Sequence, residues 1–491
     1  MKKNLRSTFV IAILLMSMIA CLKSSGGDSI LPALAPSKND ELGGEWKPAI
    51  IGSPTEIILA EPSTGQIYEK ELRGLQDIIQ QRTPEQTAAV NYWASGGVLR
   101  WNQIARQLVA KYNVRPKAVE IHDYTNPIAH APFAARTYTL LSAAQYDALI
   151  TTYHYKTFYN RMSTSKSGVK GMLPDIGLPS YPSEDAAVAA ASFRVLTYLF
   201  PKEMDFLYKK AIEYGNSRLW GGMNTPSDLE AGGEIGRQIG DKVIDYAKHD
   251  RFNLANDPKD SWKKLNVDVS WKSQDNPQTK PLAPLMGQVK TWNDSAKVFA
   301  AVPPPPPPVG SVEFQKAIDE VKALADKRTD AEKKNVEFWR DGVGTYNPPG
   351  HWNAYAEELI REYRFSEIRT ARTLLLLNES LQDAATLCWF TKYKYYYPRP
   401  TQMNNKIKPV MPPPNFPSYT SGHSTFSGAA ATFLAYIFPN EAKTLNKLAD
   451  EAGYSRVLGG IHYSFDNIHG RNSGNTIGNL TIEKAKADGA N

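Results

Sequence analysis

At 491 residues the chain is long enough for two or three domains, or for one large pseudo-symmetric one. A hydrophobic share of 42% and a charged share of 22% exclude a disordered or fibrous polypeptide. The formal net charge of +7, part of it from Lys2, Lys3 and Arg6 at the very start, is too small to argue for nucleic acid, although a basic balance favours anionic substrates weakly.

The first residues read as a leader. MKKNLR is a basic segment, and TFVIAILLMSMIA is an apolar run too short to span a bilayer comfortably. The run ends in Met18-Ile19-Ala20-Cys21, which resembles a bacterial lipobox, so residues 1–20 are expected to be a lipoprotein signal peptide and Cys21 the lipidated N-terminus. Residues 21–65 then read as a tether, rich in Lys, Ser, Gly and Pro near its start. The body would be extracytoplasmic and held to a membrane through its lipid alone, the outer membrane where the cell has one. Cys388 is the only other cysteine, so no intrachain disulfide is expected, and its apolar helical setting predicts a buried, inert thiol.

Helix-like apolar spacing covers Val98 to Tyr112, Phe133 to Tyr153, Ala186 to Phe200, Leu229 to Ala247, Trp352 to Tyr363 and Thr425 to Phe438. Period-two alternation is scarce, so the fold class is all-α. Thr83-Pro-Glu-Gln and Thr329-Asp-Ala-Glu have the form of capping boxes. They also open an internal echo. Trp101-Asn recurs as Trp352-Asn, and Ala135-Arg-Thr as Ala371-Arg-Thr. PSYPSEDAAVAAASFRVLTYLFP from Pro179 then parallels PSYTSGHSTFSGAAATFLAYIFP from Pro417, and SRLWGGMNTPSD from Ser217 parallels SRVLGGIHYSFD from Ser455, at one fixed offset. The expected plan is two pseudo-symmetric helical bundles, residues 66–255 and 313–491. Residues 256–312 join them, with Trp262, Trp271 and Trp292 followed by the stiff run Pro303 to Pro308, and are expected to drape over the bundles near the site.

The second bundle carries the chemistry, in KYKYYYPRP, NFPSYTSGHSTFSGAA and SRVLGGIHYSFD. Arg399 and Arg456 offer planar forks for oxyanion oxygens, and Lys392 a point charge. Ser421 and the Gly422 N–H are neutral donors, and Gly422 admits a close approach. The segment precedes an apolar helical run, so it would lie at a helix N-terminus, which favours anions. His462 with Asp466 four residues on has the pattern of an imidazole whose Nδ1–H is held by a carboxylate, leaving Nε2 as nucleophile or axial ligand. His423 is then the acid/base group on the opposite side. By the fixed offset, the first bundle has His154 in place of Lys392, Glu184 in place of Gly422, Asp185 in place of His423 and Asn224 in place of His462. That half should not hold an oxyanion. Arg161 and Arg218 are expected to pair with Glu184 and Asp185 there as a structural network, with a second ligand site as the alternative.

These three motifs resemble those of the type 2 phosphatidic acid phosphatase (PAP2) and vanadium-dependent haloperoxidase superfamily, and the two-bundle plan resembles its soluble haloperoxidases. The resemblance implies vanadate bound through His462, with Lys392, Arg399, Ser421, Gly422 and Arg456 around its oxygens and His423 as acid/base. Trp389-x-x-Lys392 is similar to the Trp-x-x-Lys of haloperoxidases. Phe416-Pro-Ser-Tyr-Thr-Ser-Gly-His resembles a chloride-oxidising motif in which the Phe lies near the halide site, with Thr420 standing where that group has Pro. Trp389 and Phe416 are therefore either the halide and substrate pocket or aromatic core. The activity implied is oxidation of halide by hydrogen peroxide, with an organic acceptor; the alternative is an acid phosphatase that hydrolyses a phosphate ester through a phosphohistidine and needs no cofactor. His351 is expected to be a cap or packing residue, His469 outer shell or surface, and Tyr393, Tyr395, Tyr396 and Tyr397 core or channel.

Overall fold

The computed structural model describes residues 31–114, 129–265, 269–275 and 279–490. The leader, Cys21 and His122 lie outside the described residues. Among the described residues there are helices and no strands. The first half holds α1 (Gly65–Gln80), α2 (Pro84–Trp93), α3 (Gly97–Tyr112), α4 (Ala131–Tyr159), α5 (Glu184–Leu199), α6 (Met204–Trp220) and α7 (Pro226–Lys248). The second holds α8 (Ser295–Ala300), α9 (Val312–Lys327), α10 (Asp330–Phe338), α11 (Asn347–Glu362), α12 (Glu367–Tyr395), α13 (Pro400–Met403), α14 (Gly422–Ile437), α15 (Ala442–Leu458) and α16 (Ser464–Lys486). None of these is long and apolar enough to cross a membrane.

Local chemistry sets the ends. Thr83 and Thr329 close the two capping boxes with Gln86 and Glu332. Ser183 and Ser421 cap α5 and α14. These helices start earlier than apolar spacing alone predicts, because their first turns carry the polar residues of the motifs.

Element lengths repeat between the halves. α4 and α12 both have 29 residues, α5 and α14 both 16, α6 and α15 both 17, and α7 and α16 both 23. α4 and α12 pack against each other at the centre. α5 and α7 cover α4, while α14 and α16 cover α12. Two polar contacts join matched positions: Asn378 donates to Ser142 Oγ at 3.0 Å, and Asn102 to Asn353 Oδ1 at 2.9 Å. A residue that meets its own counterpart is the signature of a twofold arrangement. The largest core is nevertheless shared by the two bundles, beside smaller clusters within each. Trp101, Tyr138 and Leu149 of the first half share one buried apolar cluster with Trp352, Leu377 and Phe433 of the second.

The segment expected to be a tether is, where described, part of the fold. Asp147 of α4 is wholly buried and accepts hydrogen bonds from the N–H groups of Ala49, Ile50 and Ile51 at 2.7, 2.8 and 3.1 Å. Asp383, its match on α12, accepts from Trp292 and Asn293 N–H at 2.8 Å. A buried carboxylate needs donors, and each half takes them from the chain that enters it. Residues 46–51 thus serve α4 as residues 289–293 serve α12, and a boundary at 65 cuts through the first unit.

The connection does not hang free either. The hydroxyls of Tyr395, Tyr419 and Tyr397 donate to the carbonyls of Pro303, Pro304 and Pro307 at 2.9, 2.7 and 2.6 Å. A proline run has no N–H to offer but leaves its carbonyls open to such donors. Upstream, Leu282 carbonyl accepts from Trp389 Nε1 at 3.2 Å and Tyr393 Oη at 2.7 Å. The connection therefore walls the first motif.

One close approach positions the site. α16 meets α14 along Gly470, Gly474 and Gly478, and a Cβ on Gly474 would stand 2.2 Å from Thr425 carbonyl oxygen. The start of α16 is thereby brought under the start of α14, and Ser421 N–H donates to Asp466 carbonyl at 3.1 Å. α7 packs on α5 in the same way, with Ser183 N–H donating to Asp228 carbonyl at 3.0 Å.

Candidate active site

Three segments converge where α12 ends and α14 and α16 begin. Lys392 lies in the last turn of α12, which closes at Tyr396 in the left-handed region (φ 45°) with its N–H returned to the Lys392 carbonyl. The fully buried Lys392 ammonium donates to the carbonyls of Pro417, Ser418 and Thr420 at 2.9, 2.9 and 2.5 Å, tying the first motif to the second. Burial, reinforced by the Arg399 charge, brings its pKa down to about 8.

Arg399 donates from Nε to Phe416 carbonyl at 3.0 Å and from Nη1 to Ile461 carbonyl at 2.7 Å. Nη1 also lies 3.4 Å from His462 Nε2. Its buried Nη2 has no partner among the described residues. Arg456, in the last turn of α15, is held by Ser455 Oγ at 3.0 Å and Val336 carbonyl at 2.5 Å. Burial lowers both guanidinium pKa values to about 10; Asp466 opposes this at Arg399, and Asp341 at Arg456.

His462 Nδ1 stands 2.8 Å from Asp466 Oδ2. The histidine precedes α16 and the aspartate reaches back from its first turn, so the pair does not share one helical turn as the i, i+4 spacing suggests. The same Oδ2 accepts from Ser418 Oγ at 2.5 Å and Tyr463 N–H at 3.2 Å. An Nδ1–H given to a carboxylate leaves a lone pair on Nε2. Burial, then the charges of Arg399 and Lys392, push the His462 pKa well below its ordinary value, so the ring is neutral.

His423 is the second residue of α14. Its ring is hydrogen-bonded to the Trp339 backbone, and its buried Nε2 has no partner among the described residues. Burial, and after it Arg456, lowers its pKa to about 3. A Cβ on Gly422 would meet nothing nearer than the Trp389 ring at 3.8 Å, so the ground before it is open. Trp389 and Phe416 pack beside it with planes tilted by 49° and centroids 5.2 Å apart, and both Lys392 Nζ and the Arg399 guanidinium lie 5.0 Å from the Phe416 ring. Trp389 is buried with its Nε1 committed to Leu282, whereas Phe416 is half-buried.

All the predicted site residues of the second half thus converge. Three buried cations face two carboxylates, Asp466 and Asp341, and Arg399 Nη2 and His423 Nε2 are buried without partners among the described residues. The residues fit a tetrahedral oxyanion such as vanadate or phosphate. His351 is packing: it is buried between Trp339 and Tyr355 with Nδ1 3.0 Å from Asp341. His469 sits outside, half-buried near Tyr419. The tyrosines Tyr393, Tyr395 and Tyr397 fasten the connection. Sequence reasoning missed Ser418 and Asp341. Ser418 had a signal in its echo, Ser180; Asp341 sits in a turn after α10 with no motif around it.

The first half differs from its expectation in two ways. α4 and α12 match end to end, so the residue in place of Lys392 is Lys156, not His154; Tyr397 and Pro398 have no counterpart. Lys156 Nζ donates to Pro179 carbonyl as Lys392 does to Pro417. Glu184 is paired with Lys156 at 2.8 Å, and Arg161 with Asp228, which has no histidine to hold. Only Asp185 and Arg218 pair as expected, at 3.8 Å.

Residues 373–487 match the model of the PAP2 superfamily. That match spans the three motifs of the second half, from Lys392 to Asp466. No curated protein sequence matches it. The fold is similar to that of a bacterial vanadium-dependent iodoperoxidase, with 22% identity, a TM-score of 0.61 and coverage of 79% of this chain and 96% of that one. It is also similar to a bacterial vanadium-dependent chloroperoxidase, with 13% identity, a TM-score of 0.56 and coverage of 77% and 99%.

Proposed function

We propose that this protein is a vanadate-dependent haloperoxidase-like enzyme that oxidises halide with hydrogen peroxide. The observation that carries the reading is the cradle itself: buried Lys392, Arg399 and Arg456 around a neutral His462 whose Nδ1 is fixed by Asp466. The likeness over the whole plan to two vanadium-dependent haloperoxidases supports the peroxidase over the phosphatase. His462 Nε2 would ligate vanadate, Arg399, Arg456, Ser421 and the Gly422 N–H would hold its oxygens, and Lys392 would add its charge. When bound, vanadate supplies a Lewis-acid centre that activates peroxide toward halide. The chain's part is to neutralise charge, to keep water from the Trp389–Phe416 side, and to take a proton from incoming peroxide at His423 Nε2.

A paired assay tests this. The protein is loaded with orthovanadate and given peroxide with chloride, bromide or iodide; in parallel the vanadate-free protein is given a generic phosphomonoester. Vanadate-dependent halogenation is expected. Phosphatase activity inhibited by vanadate, with no halogenation, would refute the proposal and leave the acid phosphatase. We further propose, from the leader, that the protein is lipidated at Cys21 and extracytoplasmic; mass spectrometry of the membrane-bound N-terminus checks it.

A further inference from the structure

The first half repeats the cradle with its anion built in. Lys156 and Arg218 are almost fully buried, in the places of Lys392 and Arg456. Arg218 is even clamped identically, its Nε 3.0 Å from Ser217 Oγ, as Arg456 Nε is from Ser455 Oγ. Ser183 caps α5 as Ser421 caps α14. Where the second half has Gly422 and His423, the first has Glu184 and Asp185.

Those two carboxylates lie where an oxyanion would. Glu184 accepts from Lys156 Nζ at 2.8 Å and from its own N–H at the start of α5. Asp185 faces Arg218 and accepts from Tyr214 Oη. Two negative charges thus meet two buried cations, as a phosphate dianion would. Arg218 Nη2, buried, still has no partner among the described residues. A cavity of about 50 Å³ lined by Lys156, Glu184 and Asn224 adjoins the group.

We infer that the first half retains a second oxyanion cradle, occupied by its own Glu184 and Asp185 carboxylates, and that it takes inorganic phosphate once they are withdrawn. This does not depend on whether the second half is a peroxidase. The test uses the full chain carrying E184G/D185N, alone and with K156Q, and counts bound radiolabelled phosphate by equilibrium dialysis. The double variant should bind one more equivalent than the unaltered chain, and the triple variant should lose it. The total rises from one to two if the second half also binds phosphate, and from zero to one if it does not, so the two claims fail separately. No added equivalent in a double variant of unchanged helix content overturns the inference. Thermal melting covers a poorly folded variant: phosphate, against chloride at equal ionic strength, should raise its melting temperature more than that of the unaltered chain. A variant that phosphate neither binds nor stabilises overturns the inference equally.

Discussion

The Asp466–His462 contact can be weighed by Asp466→Asn. One oxygen, Oδ2, receives His462 Nδ1, Ser418 Oγ and Tyr463 N–H, while Oδ1 is buried without a partner among the described residues. Asparagine keeps the volume and one acceptor but removes the charge. Hydrogen bonds to a charged group are worth about 1.5–3 kcal/mol and neutral ones about 0.5–1.5 kcal/mol, so about 1 kcal/mol is lost from the bond that orients the imidazole. Carboxylates that orient a metal-bound imidazole are worth roughly 10–100-fold in affinity, or about 1.4–2.8 kcal/mol. The amide also places a donor where Oδ1 has no partner, at about 1–3 kcal/mol of stability. D466N should therefore bind orthovanadate or phosphate roughly 10–100-fold more weakly by isothermal titration calorimetry and melt at a lower temperature. Affinity equal to that of the unaltered protein would refute the assignment of Asp466 as the residue that positions His462.

Other outcomes follow from the same geometry. Lys392 has a folded pKa of about 8, so its charge is present below that pH and is lost above it; oxyanion affinity should fall as pH rises through about 8, and Lys392→Arg should move that limb upward. Asn224→Ala, in the other half, should change oxyanion affinity at the second half by less than about twofold, since distant sites act independently; a large loss on titration would show the halves to be coupled. Tyr397→Phe and Tyr419→Phe each remove one hydroxyl from a proline carbonyl and should each cost about 1 kcal/mol in urea unfolding.

The site was legible because each motif is short, and a fixed local spacing survives whatever the fold does around it. Lys392, Arg399, Ser421, Gly422, His423, Arg456, His462 and Asp466 all come together for that reason. The all-α class followed from periodicity, but α12 could not be delimited, because its buried faces include Asn378, Glu379, Gln382 and Asp383. A helix buried all round has no stripe. The Lys156 match was hidden by two residues, Tyr397 and Pro398, that shift the register between one motif and the next. Partner choice was out of reach for a different reason. Arg161 turns to Asp228, whose match Asp466 is taken up with His462, a fact of three dimensions. The role of residues 46–51 was equally hidden, since what holds them is Asp147, far along the chain.

The shared core has a consequence for how the protein can be divided. The superfamily match stops at residues 373–487, and a fragment of the second half would carry every candidate catalytic group. It would also lack α4, against which α12 lies, and the partners of Asn353 and Asn378. A fragment of the second half alone would therefore expose the side of α12 that α4 covers. What the first half gives the second is the face that α12 packs against.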